Sequence, residues 1–405
     1  MTERHEYVVV GAGVVGLSAA RELARRGRDV ICLEQATPGH DRAGSKSRAR
    51  IFRAGYHDPL YVSLAVRMRR RWEQLEAESG RRLLVPSGLL SCGRRVDELF
   101  DSMGQGGAPC EIVTAKEAGE RFPGLSVTGR AVYESTAGVL LADEVLGCLV
   151  HGSPFELRER HVVTGISEGN DGVRIEAVEC GAAPAGEVIG PGPAAPGGRA
   201  RDGEGARRPE GGTSGRPTFE CRAAVLCGGA WSSGIARMAG LGPLADALWA
   251  SLQQVVYVGL PGHRAERLPA VVCYGDSGIS YGLPTPGESV YKLGLHDPRV
   301  RADPALASLG DSPADLALLA EMAASLLPEA APEPVATERC FYDNTPDQDF
   351  VLDRVGRLVI GAGTSGHGFK FAPLMGEALA DLAEGKSPAI PLDRFSVRRA
   401  SLRAR

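Results

Sequence analysis

The start of the chain carries a pattern of apolar positions that predicts a βαβ unit. Residues 7–10 and residues 30–33 are short apolar runs rich in β-branched side chains, which is typical of buried strands. Between the two runs, apolar residues recur at helical spacing, at Leu17, Ala20, Leu23 and Ala24. The pattern therefore predicts a strand, a helix and a second strand.

Three glycines and one acidic residue indicate what kind of ligand this unit can bind. Gly11 permits a tight turn, Gly13 lets a pyrophosphate approach the backbone, and Gly16 allows the helix to pack closely on the strand. The amides at the start of the helix would face the phosphates. Glu34 ends the second strand, where it can accept hydrogen bonds from an adenosine ribose and repel the extra phosphate of NADP. This context predicts dinucleotide binding, but it does not separate FAD from NAD.

The rest of the chain alternates between helical patterns and short apolar runs. Residues 59–79 predict a long amphipathic helix that stops at Gly80, and residues 312–327 predict another helix. The apolar runs that predict strands are 173–178, 219–225, 255–259, 279–283, 290–295 and 358–360. The last run leads into the glycine-rich loop 361–368 and a helix opened by Pro373. Because the chain closes with a second strand, glycine loop and helix, we expect both ends to build one domain.

These elements predict an α/β fold with two domains. We expect a discontinuous Rossmann-like, dinucleotide-binding domain and a second, β-sheet-rich substrate domain. The first would comprise residues 1–85, 139–231 and 341–405, and the second residues 86–138 and 232–340. Residues 181–217 contain almost no large apolar side chain and are predicted to be a disordered insertion between paired strands. A functional lid is the alternative for this insertion.

Composition narrows the range of partners and locations. The net charge is −4 and the pI is about 6.1, which gives no reason to expect a nucleic acid or a membrane surface as partner. No apolar stretch approaches the length of a membrane span, so we predict a cytoplasmic protein. The nine cysteines are odd in number and lack CxxC pairs, which argues against a disulfide framework and a structural zinc site. No metal site is predicted.

Four stretches, taken in their order and spacing, resemble the monomeric sarcosine oxidase family of FAD-dependent amine and amino acid oxidases. This family is related to D-amino acid oxidase and glycine oxidase, within one superfamily. The resemblance covers essentially the whole chain apart from residues 181–217. The stretches that carry it are 7–34, 50–53, 340–353 and 361–371, with a weaker fifth at 292–296. None of them would be specific alone.

The resemblance implies FAD as the cofactor, attached covalently through Cys340. This cysteine matches the one that carries the flavin 8α-methyl group as a thioether, a bond that generally raises the flavin potential and prevents loss of the flavin. An inert buried thiol is the alternative. In the closing loop, the resemblance places Gly363, Gly366, His367 and Gly368 against the flavin. His367 is expected to act through its backbone, and the dipole of the following helix favours the negative charge of the reduced ring.

The resemblance also implies a site for the substrate carboxylate. Arg53 and Lys370 match the family's carboxylate-binding pair, in which an arginine fork makes paired hydrogen bonds and a lysine adds a second positive charge. Tyr281 and Tyr342 match aromatic residues that line the substrate cavity, and His296 matches a histidine on the substrate side. A solvated surface arginine is the alternative for Arg53, and a plain core tyrosine is the alternative for Tyr281.

Two basic residues match positions beside the flavin in this family. Arg50 is expected to stabilise the anionic reduced ring, with an ordinary salt bridge as the alternative. Lys292 matches the lysine that activates oxygen, where a fixed cation stabilises developing superoxide. The alternative for Lys292 is a strand lysine that points to water. His296, four residues further on, is predicted to share its strand face.

The loop before Arg50 departs from the family pattern. Residues 44–49 are one residue shorter than in typical sarcosine oxidases and lack their histidines. Lys46 and Arg48 are expected to bring charge close to the flavin and the cavity. This departure puts sarcosine itself in doubt and equally favours a bulkier cyclic or N-substituted amino acid.

The resemblance implies oxidation of a secondary amine or amino acid that carries a carboxylate, of the sarcosine, pipecolate or N-methyl amino acid type. The products would be an imine and hydrogen peroxide, so the expected partners are a small amine and molecular oxygen, and the protein is expected to be a monomer. The main alternative is a flavin-dependent amino acid dehydrogenase that uses another electron acceptor. An NAD-dependent enzyme would leave Cys340 and the closing glycine loop unexplained, and a non-catalytic flavin-binding protein would show no bleaching with any amine.

Overall fold

A computed structural model of the chain describes residues 2–152, 154–181, 217–276 and 278–403. The predicted disordered insertion lies, apart from its first and last residues, outside the described residues.

The described residues form strands and helices along their whole length. The strands are β1 (Thr2–Val10), β2 (Val30–Leu33), β3 (Ala49–Phe52), β4 (Leu84–Pro86), β5 (Leu89–Gly93), β6 (Glu111–Thr114), β7 (Arg130–Glu134), β8 (Gly138–Leu141), β9 (Glu156–Arg158), β10 (His161–Glu168), β11 (Val173–Glu179), β12 (Thr218–Leu226), β13 (Trp249–Gly259), β14 (Ala270–Tyr274), β15 (Ile279–Pro284), β16 (Val290–His296), β17 (Pro334–Asn344), β18 (Val351–Val355) and β19 (Leu358–Ala362). The α-helices are α1 (Val14–Arg25), α2 (Pro59–Ser79), α3 (Val96–Gln105), α4 (Ala115–Arg121), α5 (Ala142–His151), α6 (Ser232–Met238), α7 (Gly242–Ala247), α8 (Pro313–Leu326), α9 (Ala372–Glu384) and α10 (Leu392–Phe395). Short 3-10 helices span Gly229–Trp231, Gly262–Arg267, Phe369–Phe371 and Ala400–Leu402.

Helix α2 shows how local sequence sets the helix ends. The Asp58 side chain accepts a hydrogen bond from the Leu60 amide at 2.9 Å, and Pro59 occupies the first turn, where its missing N–H costs nothing. Gly80 ends the helix with a φ of 65°, a left-handed conformation that glycine adopts without a steric penalty. The predicted bounds of this helix are confirmed.

The first sheet has eight strands and joins both ends of the chain. Strands β9, β2, β1, β12 and β19 run parallel in that order, so a strand near the start of the chain and one near its end share β12 as a neighbour. Strand β11 pairs antiparallel with the first half of β12, as the apolar runs predicted. Helices α1, α5 and α9 cover one face of this sheet over a large apolar core. The carboxyl ends of its parallel strands therefore meet at one edge.

The second sheet also has eight strands, in the order β17, β13, β16, β15, β14, β5, β7, β6. Its pairs are antiparallel except for β5 and β14. Helices α4 and α8 cover one face, where Tyr291 and Leu319 are buried in the same apolar cluster. Since side chains alternate along a strand, Lys292 points to the opposite face, towards the first sheet.

A small sheet of three strands, β3, β8 and β4, lies between the two large ones. Ala49 on β3 and Val139 on β8 pack against Val272 and Leu283 of the second sheet. Helices α6 and α7, which lie on the substrate side of the predicted boundary at residue 231, pack against β18 and β19 of the first sheet. The predicted α/β fold class is confirmed. No helix of the described residues is long and apolar enough to cross a membrane.

Candidate active site

A cavity lies at the carboxyl ends of β1, β2 and β12, as expected for a ligand site in an open parallel sheet. Its volume is about 150 Å³. The predicted residues Gly11, Gly13, Gly16 and Glu34 all line it. Residues 227–231, which follow β12, form part of the opposite wall.

Two of the three glycines leave no room for a Cβ atom, and the third has little. Gly11 has a φ of 97°, and a Cβ atom there would lie 2.3 Å from the Cys227 carbonyl oxygen. A Cβ on Gly16 would lie 1.9 Å from the Gly11 carbonyl oxygen, so α1 packs against the turn only because this residue is glycine. A Cβ on Gly13 would lie 3.3 Å from the Ser45 hydroxyl. The turn and helix start thus present bare backbone to the cavity.

Glu34 is buried and held by backbone amides. The Ala12 N–H donates to its Oε2 at 2.8 Å, and the Ala36 N–H donates to its Oε1 at 3.0 Å. Burial raises the pKa of Glu34, while the amide hydrogen bonds oppose that rise. The carboxyl is therefore fixed at the end of β2, where the sequence predicted a ribose ligand.

Three residues of this cavity were not singled out as ligands from the sequence. Ser45 accepts a hydrogen bond from the Val14 amide at 2.9 Å, which ties the loop after β2 to the start of α1. Trp231 Nε1 and Asp343 Oδ2 are buried atoms that find no hydrogen-bond partner in the described part of the chain. Asp343 falls inside the 340–353 stretch, which was the available signal. A bare glycine cradle and unpaired buried polar atoms fit a polar ligand such as FAD.

A second cavity, of about 390 Å³, adjoins the first. The residues that line both are Arg50, Tyr342, Gly366 and Phe369. A Cβ on Gly366 would lie 2.4 Å from the Tyr342 ring, so the closing glycine loop packs directly on that ring. The junction of the two cavities is where a ligand held in the first would meet one held in the second.

Four cations line the second cavity without an ion-pair partner in the described part of the chain, namely Arg50, Arg53, Lys292 and Lys370, and two of them, Arg53 and Lys370, both contact Tyr56. The Arg53 guanidinium lies 4.2 Å from the centre of the Tyr56 ring and donates to the Tyr274 hydroxyl at 3.3 Å. Lys370 is 6 % exposed and donates to the Tyr56 hydroxyl and to the His367 carbonyl, both at 2.9 Å. Burial, together with the charge of Arg53, holds the pKa of Lys370 well below its usual range.

A bound anion would neutralise part of the positive charge of Arg53 and Lys370. Among the described residues, no carboxylate lies within 4.0 Å of either cation, and buried cations are normally paired. Glu134, which the sequence did not single out, accepts hydrogen bonds from the amides of Ala54 and Gly55 at 2.9 and 3.1 Å. It therefore fixes the backbone that follows Arg53 without neutralising the guanidinium by direct contact.

Lys292 lies at the other end of the second cavity and is 2 % exposed. Its ammonium donates to the Ser47 hydroxyl and, at 3.2 Å, to the Ala49 carbonyl. Burial, and next the charge of Arg50, lowers the pKa of Lys292 to about 7. The predicted alternative, a strand lysine that points to water, is wrong.

The predicted aromatic and histidine residues gather around the same cavity. His296 shares the β16 face of Lys292, and its ring centre lies 5.4 Å from that of Tyr342. Burial, then the charge of Arg53, lowers the pKa of His296 to about 4, so the imidazole is neutral at pH 7. Burial raises the pKa of Tyr281 to about 12.

Cys340 is buried and lines the second cavity, opposite Gln253 in the pairing of β17 with β13. His367 also lines this cavity, and its ring packs among Tyr61, Phe350 and Phe371. Burial and the charge of Lys370 hold the pKa of His367 well below its usual range. Its Nε2 lies 2.9 Å from the Gln348 carbonyl oxygen, and its Nδ1 has no hydrogen-bond partner among the described residues.

Not every predicted residue reaches a cavity. Gly368 lines the first cavity, but Gly363 lines neither, and its nearest neighbour is Thr345. Lys46 and Arg48, expected to bring charge close to the cavity, line neither cavity. Lys46 pairs with Asp41 outside both cavities, and Arg48 forms a 2.6 Å ion pair with Glu288. The described residues contain no group of three or more acidic, histidine or cysteine side chains placed to hold a metal.

The fold joins a glycine turn of the kind that binds dinucleotides to a second cavity lined by several cations. Residues 6–382 match the model of the DAO family, described as FAD dependent oxidoreductase. The chain therefore belongs to this family of flavin-dependent amine and amino acid oxidases.

Known proteins similar to the chain span its whole length. Monomeric sarcosine oxidase of Streptomyces avermitilis is 27 % identical over 421 residues, covering 98 % of both chains. Human peroxisomal sarcosine oxidase is 28 % identical over 426 residues, covering 97 % of this chain and 96 % of the human one. The Tyr258Phe mutant of NikD, an unusual amino acid oxidase essential for nikkomycin biosynthesis, superposes with a TM-score of 0.78 at 21 % identity, covering 97 % of each chain. The structural likeness establishes the fold, and the predicted resemblance to the sarcosine oxidase family is confirmed.

Proposed function

We propose that the protein is an FAD-dependent oxidase of a secondary amine or amino acid that carries a carboxylate, and that it yields an imine and hydrogen peroxide. The observation that carries this proposal is a pair of cations, the half-buried Arg53 and the buried Lys370, which have no carboxylate within 4.0 Å among the described residues and line a cavity that joins the dinucleotide cavity. The sarcosine oxidase names of the relatives support the same substrate class.

The chain's own residues would bind and orient the substrate. Arg53 can donate two parallel hydrogen bonds to the carboxylate, and Lys370 can donate one more charge-assisted hydrogen bond. The Tyr342 ring lies at the junction of the cavities, and the neutral imidazole of His296 lies beside it, with the ring centres 5.4 Å apart. Bound FAD supplies the acceptor for the hydride equivalents. The reactive amine must be the free base, since only a nitrogen lone pair can stabilise the developing iminium.

We further propose that Cys340 holds the flavin covalently and that Arg50 stabilises the reduced cofactor. Cys340 lines the cavity that also contains Lys292, and Arg50 lines both cavities, so each residue can reach a ligand at the junction. Glu34 and the backbone at Gly11, Gly13 and Gly16 would hold the other end of FAD. Gly366 and Gly368 would lie against it from the closing loop.

The apolar lining of the second cavity favours a substrate larger than sarcosine. Its lining includes the apolar or aromatic side chains of Val272, Tyr274, Ile279 and Leu283. Such a surface gains free energy by covering an apolar substituent, at about 25 cal/mol per Å². We therefore include cyclic and N-alkyl amino acids among the proposed substrates.

A panel of amines tests the proposed function. Anaerobic mixing with a true substrate should bleach the flavin absorbance, and admitting air should restore it with about one peroxide formed per substrate oxidised. Bleaching and dye reduction with little peroxide under air would instead establish the alternative, an amino acid dehydrogenase. A colourless protein that does not take up added FAD would contradict both.

Replacing Arg53 by methionine is expected to lower kcat/KM for a carboxylate substrate by about 10²–10³-fold, because about 3–4 kcal/mol of charge-assisted hydrogen bonding is lost. The matched comparison is the same substrate with its carboxylate replaced by hydrogen, for which the variant should lose little. R53K, which keeps the charge but not the fork, should fall between wild type and R53M. Equal losses for both substrates would contradict a carboxylate-binding role.

Monomeric state, cytoplasmic location and the absence of nucleic-acid or membrane partners stay predictions. The word "monomeric" in the name of the Streptomyces relative supports the first of them.

A further inference from the structure

A row of hydrogen-bonded side chains leads from Lys292 to the protein surface. The Lys292 ammonium donates to the Ser47 hydroxyl, whose oxygen lies 3.5 Å from the Tyr257 hydroxyl. The Tyr257 hydroxyl in turn donates to Glu338 Oε2 at 2.8 Å. These contacts connect a buried cation to a carboxylate through two hydroxyl groups.

The Ser47 hydroxyl is the branching point of this row. It accepts from Lys292, donates to the Ala49 carbonyl at 3.3 Å and lies 3.5 Å from the Tyr257 hydroxyl, so a turn of its hydrogen lets it exchange a proton with Tyr257. The Tyr257 hydroxyl donates to Glu338. Lys292 and Ser47 are each 2 % exposed and Tyr257 is fully buried, whereas the Glu338 side chain is 23 % exposed. The row therefore begins inside the protein and ends at solvent.

The second sheet holds these residues in register. Tyr257 on β13 is directly opposite Lys292 on β16, and Glu338 on β17 is opposite Val255, two residues from Tyr257 on the same face. Cys340, two residues beyond Glu338, shares that face as well. The row thus runs across three neighbouring strands beside the proposed flavin attachment point.

Arg48 packs on Tyr257 near the outer end of the row. Its guanidinium lies 4.9 Å from the centre of the Tyr257 ring and forms a 2.6 Å ion pair with Glu288, with its Nε 4.0 Å from Glu338. This stacking covers the hydrophobic face of Tyr257 and leaves Glu338 accessible to water.

We propose that Ser47, Tyr257 and Glu338 form a proton relay that resupplies Lys292 from solvent, an inference that rests on the oxidase function proposed above. Reducing dioxygen to hydrogen peroxide takes two electrons and two protons. The electrons and one proton come from the hydride equivalents removed from the substrate, and the Lys292 ammonium gives the other proton. Solvent first protonates the Glu338 carboxylate, and the two hydroxyl hydrogens turn inwards. Glu338 then protonates Tyr257 as Tyr257 protonates Ser47 and Ser47 protonates Nζ, which leaves Glu338 as a carboxylate again. One N–H or O–H bond forms for each one that breaks, so the net change is one proton moved inwards.

Two variants and one matched control test the relay in the holoenzyme. Y257F keeps the ring under Arg48 but removes the hydroxyl, and E338Q keeps the shape of the outer residue but removes its acid. Each should slow the reoxidation of the reduced enzyme by oxygen about tenfold or more, while anaerobic reduction by amine is unchanged. The control, Y291F, removes an equally buried hydroxyl from the other face of β16, where it donates to the Pro269 carbonyl at 2.7 Å. It should not alter reoxidation.

A second readout does not depend on turnover. The chain has five lysines, at positions 46, 116, 292, 370 and 386, so selective ¹⁵N labelling gives few signals and K292M assigns the one of interest. Exchange of the Lys292 Nζ protons with solvent should slow in Y257F and E338Q but not in Y291F. A side chain with a purely structural role would not control this exchange.

The outcomes separate the relay from the function on which it rests. If oxygen reoxidises the wild-type enzyme and Y257F equally fast, the relay is wrong but the oxidase function stands. The same holds if Nζ proton exchange in Y257F equals that of the wild type. Wild type that amine reduces but oxygen does not reoxidise would overturn both. Slow reoxidation and slow exchange in Y257F and E338Q, with Y291F normal, would establish the relay.

Discussion

Replacing Lys292 by methionine is expected to slow the reoxidation of the reduced enzyme by oxygen by about 10²–10³-fold, the usual cost of removing one preorganised charged group beside a developing anion. Methionine keeps the buried apolar stem of Lys292 and removes its charge together with its hydrogen bonds to Ser47 and Ala49. Anaerobic bleaching by substrate should stay at the wild-type rate. Stopped-flow mixing of reduced enzyme with oxygenated buffer measures the first rate, and anaerobic mixing with substrate measures the second.

The same residue sets a pH dependence whose sign follows from its charge. Because the pKa of Lys292 is about 7, the cation is present below that pH and is lost as the pH rises through it. The rate at which oxygen reoxidises the wild-type enzyme should therefore fall as the pH rises through this pKa. A bound anionic cofactor would raise the pKa of Lys292 and so move the midpoint of this fall to a higher pH. The charged or titratable groups that act on Lys292 are Arg50, Cys340, Glu338 and Asp143.

The K292M profile should be flat over this pH range. K46M is the matched control, since Lys46 pairs with Asp41 outside both cavities. If K292M is reoxidised as fast as the wild type, or if K46M loses as much reoxidation rate as K292M, Lys292 does not activate oxygen.

Replacing Cys340 by serine is expected to prevent the covalent bond to the flavin from forming, so that all of the flavin is bound non-covalently. After acid precipitation, the yellow colour of the wild type should stay with the pellet, whereas that of C340S should pass into the supernatant. The loss of the thioether should also lower the flavin potential and slow reduction by substrate. Absorbance spectra before and after precipitation measure the first effect directly.

C110S provides the control, because Cys110 is a half-buried free thiol that lines neither cavity. Its colour should remain with the pellet. Wild-type colour in the supernatant would show that FAD is bound without a link at Cys340.

The parts of the site that the sequence predicts well are those set by short-range patterns. The glycine turn, the first helix and Glu34 lie within 34 residues, and each has its physical reason in the local backbone. The shared strand face of Lys292 and His296 follows from the two-residue period of a strand. The long helix α2 is equally local, since Asp58 and Gly80 mark its ends.

The parts that sequence reasoning missed depend on residues far apart in the chain. Glu134 reaches the Ala54 amide from 80 positions away, and Tyr257 lies 210 positions from Ser47. No local pattern records such contacts, because only the completed sheets bring the strands together. The charges of the 44–49 loop could not be placed for the same reason, since the partner of Arg48, Glu288, lies in a distant turn.

The position of β12 between β1 and β19 has a consequence for how the protein is made in the cell. A ribosome releases β1 and its glycine turn first, but the wall formed by residues 361–368 emerges more than 300 residues later. Until then the nascent chain has one half of its nucleotide pocket and an unpaired strand edge, which is prone to wrong pairing. We therefore expect the complete nucleotide pocket, and with it tight cofactor binding, to form only after residues 361–368 have been made.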